Sequence, residues 1–339
     1  SFLKKHFFII FLCLLTAASL NTLLTSNNQS SITNRLSSFS DSSVDFRVRS
    51  YKQAIDVIKL NPIIGTGIGT WKINAINYDK LNIKDYQSPY HVHNDWLQIA
   101  AETGLFGLLF YSLTFFFPIF QILKNRQQYF LPISLTIVAF SIDSFINFPK
   151  HRPVQFLLIL LILSLFLVLY NSKHKINNSV SLHPLFFLFL SIALIYPHAR
   201  LFYSYVQQKE LLIAFNNDTN LSNEYLSKLE VDFPSITVTS VPLKAAKAHF
   251  EFKNGNIELA KRLSKEAISK SPYFYFSENL LANIYLNERN IDSALYFSKL
   301  AFDNLPNNAA HSTTYTRALE VIRDIDEIER VFDKIDRGV

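Results

Sequence analysis

Pro89-Tyr-His-Val-His-Asn-Asp-Trp-Leu-Gln-Ile-Ala-Ala-Glu-Thr-Gly-Leu-Phe-Gly107 brings two histidines, an Asn-Asp pair and a tryptophan to the mouth of an apolar run that begins near Gly104. Titratable groups at the rim of a bilayer-length segment are costly to place and mark a functional-site candidate. The apolar run also decides the fold class. Leu105–Leu123 is followed by Phe130–Phe148, Val154–Tyr170 and Leu185–Tyr196, all near the about 20 residues that a crossing helix needs, the last being the shortest. A further apolar stretch, Phe7–Leu24, preceded by Lys4-Lys5 and ending near Ala17-Ala18-Ser19, fits a signal peptide or a transmembrane helix. The helix is preferred, because no initiator methionine precedes it.

Composition agrees with a divided chain. Of 339 residues, 14% are aromatic, with 31 Phe, and 18% are charged, against roughly 25% charged in ordinary soluble domains. Apolar residues concentrate before about residue 200 and charge after it. Cys13 stands alone in an apolar run, which excludes disulfides and cysteine-based metal sites. The chain has no methionine, even at its start, so it is expected to begin inside a longer reading frame with upstream segments missing. A net charge of +6 is mild and suits a membrane-facing protein better than a nucleic-acid binder, which would cluster its basic residues on one face.

Lysine and arginine placement orients the helices. Lys4-Lys5, Lys124 with Arg126, and Lys173 with Lys175 fall on one side, which leaves a large extracytoplasmic loop at about residues 25–103 and puts the C-terminal part outside. Phe148-Pro-Lys-His-Arg-Pro153 breaks the pattern by carrying basic residues on the outer side. Lys150 and Arg152 either snorkel at the interface or face an anionic substrate on the surface of the histidine loop.

Within the large loop, Thr25–Ser43 is rich in Ser, Asn and Thr and reads as a solvated linker. Asp45–Lys59 reads as a helix ended by Asn61-Pro62. Ile63-Ile-Gly-Thr-Gly-Ile-Gly-Thr-Trp71 follows. Its G-x-G-x-G spacing lacks the G-x-G-x-x-G pattern and the strand–turn–helix setting of a nucleotide site, so these glycines are read as devices for a tight turn.

From Arg200 the chain is soluble and helical in character and repeats itself. Ala248, Asn256, Ile257, Ala260, Ala267 and Pro272 recur 34 positions later as Ala282, Asn290, Ile291, Ala294, Ala301 and Pro306, with Arg289 in place of Gly255. A worn third copy begins at Asp324-Ile325-Asp326. A 34-residue period with small residues at the helix crossing resembles the tetratricopeptide repeat, whose arrays stack into partner-binding surfaces.

His91-Val-His93-Asn-Asp95 has three readings. H-x-H-x-D opens a metallo-β-lactamase-type metal motif, and alternate strand positions would point both imidazoles one way, but Trp96 stands where that motif continues with histidine. A bland reading makes the stretch interfacial polar residues with Trp96 as an anchor. The third reading is a family resemblance. His93-Asn94, nine residues, Gly104, two residues and Gly107 are similar to the end of the large extracytoplasmic loop in the O-antigen ligase and polymerase superfamily. Upstream, Arg47, Tyr51, Ala54 and Pro62-Ile-Ile-Gly65-Thr-Gly67-Ile-Gly69 resemble that family's pattern, with Tyr51 where Trp is usual. The Phe-Pro-x-x-Arg-Pro turn and the C-terminal repeats also have parallels among members. The resemblance covers about residues 1–200 and the repeat tail, and departs in lacking the family's upstream helices.

The resemblance implies an all-α chain: a polytopic membrane bundle of residues 1–199 with its large loop, then a soluble tetratricopeptide-like solenoid of residues 200–339. It implies transfer of a glycan from a polyprenyl diphosphate carrier to an acceptor hydroxyl, at the outer face of a bacterial inner membrane. The acceptor would be lipid A-core, a growing glycan or a protein. A departing diphosphate calls for a permanent, bidentate cation, which points to Arg47 first, then Arg49 and Arg152. The attacking hydroxyl calls for a base near neutral pKa, which points to His93, with His91 as helper. Asn94 either contacts sugar or caps the following helix. No cofactor, metal or nucleic acid is expected, and a protein partner would sit on the repeats. The competing class is a non-enzymatic, membrane-anchored tetratricopeptide scaffold for envelope polysaccharide assembly.

Overall fold

The computed structural model describes residues 42–125, 130–174 and 184–337. The expected Phe7–Leu24 helix, Cys13, most of the Thr25–Ser43 linker, Arg126 and Lys175 lie outside them. The described residues fall into two units, divided within the first helix between Lys52 and Gln53. The described residues are all-α, apart from an isolated bridge between Ile236 and Pro242.

Helix α1 (Ser42–Leu60) carries Asp45 in its first turn and Lys59 in its last, each of a sign that suits its end of the helix dipole. Asn61-Pro62 stops it, as the ring of Pro62 bars a further turn. After α2 (Trp71–Tyr78) come α3 (Asp95–Asn125), α4 (Phe130–Ile146) and α5 (Pro153–His174). The apolar stretch expected from Leu105 therefore starts ten residues earlier, as one helix interrupted at Gly104 (φ 68°, ψ −171°). Phe115, Ile122, Phe130, Ile137, Ile159 and Phe166 form the shared core of α3, α4 and α5. Asp95–Lys124 and Pro153–Ser172 are long and apolar enough to cross a membrane, and Phe130–Ile146 is apolar but shorter. Only 17% and 11% of the most apolar windows of the two longer helices are buried inside the protein. That separates them from core helices of a soluble protein, whose apolar faces must be covered by other protein.

Helix α6 (Pro184–Asn216) exposes Leu185, Phe189, Ile192 and Ile195 in its first half, then runs without interruption through Pro197 and past residue 200. The short α7 (Asn223–Lys228) leads to three helix pairs: α8 (Leu243–Lys253) with α9 (Ile257–Ala267), α10 (Phe276–Asn287) with α11 (Ile291–Asn304), and α12 (Ala309–Ile322) with α13 (Ile325–Arg337). The joint of each pair repeats the same backbone device. Gly255, Arg289 and Arg323 all have positive φ (85°, 58° and 58°). The next N–H donates five residues back, from Asn256 to Glu251, Asn290 to Tyr285 and Asp324 to Leu319. This is the Schellman arrangement, which satisfies helix-end carbonyls through one left-handed residue. The recurring residues Ala248, Ala260, Ala267, Ala282, Ala294 and Ala301 are all fully buried, where small side chains let helices approach closely.

Candidate functional site in the histidine loop

The site is built where α3 breaks. Gly104 cannot continue the helix, so the carbonyls before it and the amides after it lose their helical partners. The glycine-rich turn supplies replacements. Thr66 and Gly67 N–H donate to the Ala101 and Glu102 carbonyls (3.0 and 2.8 Å), while Leu105 and Phe106 N–H donate to Pro62 and Ile63 (2.8 and 3.2 Å). The two backbones touch: a Cβ on Gly65 would lie 2.4 Å from the Glu102 carbonyl, and one on Gly104 would lie 2.2 Å from the Ile63 oxygen. The glycine turn and the histidine–glycine stretch are therefore one structural unit. The tight-turn reading of these glycines holds, but it missed their partner.

Helix α3 begins one residue after Asn94, whose Oδ1 accepts the Leu97 N–H (3.0 Å). That is the capping role, in which a side-chain oxygen takes an otherwise orphaned first-turn donor. Immediately before it, His93 sits at φ 61°. A left-handed conformation is uncommon for a side-chain-bearing residue and is tolerated only where its surroundings impose it. No strand forms here, so the alternate-position geometry assumed by the metal reading is absent. Among the described residues, no group of three or more His, Cys, Asp or Glu is arranged to hold a metal ion.

Facing this loop is the turn between α4 and α5, residues 148–152. Its Phe148 ring is stacked on His91 (centroids 4.3 Å), lies edge-on to His93 (4.9 Å) and is covered by the Arg152 guanidinium (5.1 Å). His151 lies against His91 at 4.4 Å. The Lys150 N–H donates to Asp95 Oδ2 (3.1 Å), tying the turn to the start of α3. Asp95 is fully buried, and its other oxygen has no hydrogen-bond partner among the described residues. Beneath it, Glu102 accepts from the Gln98 amide (3.2 Å) and from the Trp71 N–H (3.4 Å).

The electrostatics follow from this crowding. Burial, and after it the neighbouring His93 and Lys150, hold His91 down to about 4, so the ring is neutral at pH 7. Burial also lowers the Lys150 ammonium, opposed by the Asp95 and Glu102 carboxylates. Arg152 adds its guanidinium to this face, over the Phe148 ring.

Of the residues singled out from sequence, His91, His93, Asn94 and Arg152 are thus brought together. Arg47 and Arg49 lie on α1 in the first unit. There Arg49 stands over the Phe46 ring (5.6 Å), and Arg47 opposes the burial that raises the Tyr51 phenol. Trp96 corrects an expectation. It is 8% exposed and stacked on Phe145 (5.0 Å), with Nε1 directed at the Ser141 carbonyl (3.4 Å). It therefore packs α3 on α4, whereas the sequence offered it as an interfacial anchor. Asp95 entered the sequence reading only through the H-x-H-x-D motif, and Gln98 and Glu102 did not enter it. Their i, i+3, i+7 spacing at the start of an apolar helix marks one polar face, and that was the signal available.

Residues 1–112 match the family model described as O-antigen ligase. The match supports the ligase and polymerase superfamily, whose members are membrane-associated, glycosyltransferase-like ligases of polysaccharide biosynthesis. No curated protein and no solved structure matches the chain.

Proposed function

We propose that this chain carries the histidine loop of an enzyme that transfers a glycan from a polyprenyl diphosphate carrier to an acceptor hydroxyl, at the outer face of a bacterial inner membrane. The observation that carries the reading is the site at the broken start of α3. A strained His93 and an arginine turn share one aromatic wall at the foot of an apolar helix, within a stretch matched by the ligase family model. A diphosphate tethered to a membrane-embedded tail would present itself at that depth.

In the reaction, the acceptor oxygen attacks the anomeric carbon of the donor glycan, and the bond from that carbon to the diphosphate oxygen breaks. The acceptor proton passes to His93, and the bonding pair leaves with the diphosphate. Arg47 is assigned to the charge growing on the departing oxygens, supported by Arg49 and Arg152. His91, neutral and stacked, positions the turn and offers a hydrogen bond. Asn94 holds the start of α3 so that His93 keeps its place. Lipid A-core, a growing glycan and a protein hydroxyl all meet this chemistry as acceptors. Residues 1–199 form the membrane part, and residues 200–339 form a tetratricopeptide-like part open to a protein partner.

The test is surface glycan in a deletion strain complemented with the full-length gene. His93→Asn keeps a residue that tolerates the left-handed backbone while removing the imidazole, and His93→Ala removes both. Loss of transfer by about 10²-fold or more in both, at unchanged membrane protein level, is expected. Arg47→Lys should be damaged as well, because a lysine cannot bind bidentately. Normal glycan in the His93 variants would overturn the enzyme reading and leave the repeats as the working part of a scaffold.

A further inference from the structure

Beside the histidine loop lies a cavity of about 580 Å³, framed by residues 85–90, the end of α6 and the 237–241 turn. That volume is within the roughly 300–1,000 Å³ typical of small-ligand sites. The geometry points to a saccharide subsite, and this inference rests on the glycosyl-transfer reading. The lining includes the aromatic rings of Phe215 and Tyr90 and the amide and hydroxyl groups of Gln87, Asn216 and Thr239. A sugar ring presents the same combination in reverse, with C–H faces bordered by hydroxyls. Asp85 is the sole charged side chain among the lining residues, and Lys72 at the rim is already engaged by the Tyr90 ring and the Thr237 carbonyl, so the cavity suits a hydroxylated ligand. Lys150 and Arg152 lie instead on the turn that faces the histidines. Tyr90 joins the two places, since it lines the cavity and stands edge-on to His91 at 4.8 Å.

The cavity is held open by fixed neighbours. Ser88 and Ser240 share a hydrogen bond (3.2 Å) that ties the 85–90 segment to the 237–241 turn, and Lys72 is engaged both with the Tyr90 ring (5.2 Å) and with the Thr237 carbonyl (3.5 Å). The Gln87 and Asn216 side-chain amides and the Tyr90 hydroxyl are not hydrogen-bonded to other described residues. They retain their bonding capacity for a ligand. A glycan held here would run from the tetratricopeptide-like part towards His91, with its reactive end at the histidines.

The test uses full-length protein in lipid nanodiscs, with donor and acceptor concentrations varied separately. Thr239→Trp fills the cavity, and the double variant Gln87→Ala/Asn216→Ala removes its amides from exposed positions that a fold tolerates. The expected result is a roughly tenfold rise in half-saturation for one glycan, with less than a twofold change in turnover at saturation. A rise for the acceptor assigns the cavity to the acceptor chain, and a rise for the donor assigns it to the donor's sugar. A second measurement separates this inference from the reaction itself. Oligosaccharide released from the producing cell's own surface polysaccharide is titrated against His93→Ala protein, with and without the cavity substitutions. Equal binding in the presence and absence of the substitutions, or unchanged half-saturation for both glycans, would overturn the subsite. Transfer that survives His93→Ala would overturn only the underlying reading.

Discussion

At residue scale the most informative group is His91, because it is held neutral by its surroundings. Its folded-state value of about 4 lies below the ordinary 6.5. Between those values the unfolded loop takes up a proton that the docked ring refuses. Docking of the loop on the 148–152 turn is therefore fully favoured above about pH 6.5 and is lost as pH falls through about 4. Hydrogen exchange of residues 89–98, corrected for intrinsic rates, should show stronger protection at pH 7 than at pH 5. His91→Phe preserves stacking on Phe148 without a titrating nitrogen, so it should flatten that dependence. A pH response of the same size in the variant would assign it to another group, and His93, Lys150 and His151 face this position.

At the scale of elements, the glycine turn and the broken helix stand or fall together. The turn shows Ile63, Ile64 and Ile68 at 69%, 75% and 86% exposure, continuing the exposed Leu105 and Phe106 of α3. Burial of its own apolar side chains thus does little to hold it. Four backbone hydrogen bonds to the Gly104 break do so instead. Gly104→Ala places a methyl against Ile63 in a backbone region open essentially to glycine alone, and should cost about 3 kcal/mol or more. Gly69→Ala, at φ 77° with open space around it, should cost only about 1–2 kcal/mol. Thermal unfolding of the two variants in detergent checks the order; equal costs would mean that the close approach does not hold the turn.

At the scale of the whole molecule, the histidine loop is fastened to the helical repeats. Ile76 and Ile83 belong to the same buried core as Leu243, Phe250, Phe274 and Leu280. Tyr86 stands edge-on to Phe276 at 4.7 Å, and its hydroxyl accepts from the Asn279 amide (3.2 Å). Asn307 and Ala309 donate to the Leu81 and Lys84 carbonyls. The repeats therefore position the loop that leads to His91. Tyr86→Ala should weaken this docking by about 2–3 kcal/mol and lower transfer without altering any residue at the histidines. Faster proteolytic nicking between residues 79 and 90 is the expected readout. Wild-type nicking together with wild-type transfer would mean that the contact carries no such role.

The sequence by itself determined whatever rests on local pattern. Apolar length predicted α3 to α6, Asn94 was readable as a cap, and the 34-residue period matched Gly255 to Arg289 and pointed to a third copy at Asp324-Ile325-Asp326. The spacing from His93 to Gly107 led to the family that residues 1–112 match. Tertiary structure alone decided the rest, because those contacts join residues with no pattern between them. Thr66 meets Ala101 across 35 positions, Lys150 meets Asp95 across 55, and Asn279 meets Tyr86 across 193. Periodicity records which face of one element is buried. It carries no information on which distant backbone will supply the hydrogen bonds that a broken helix leaves unmade.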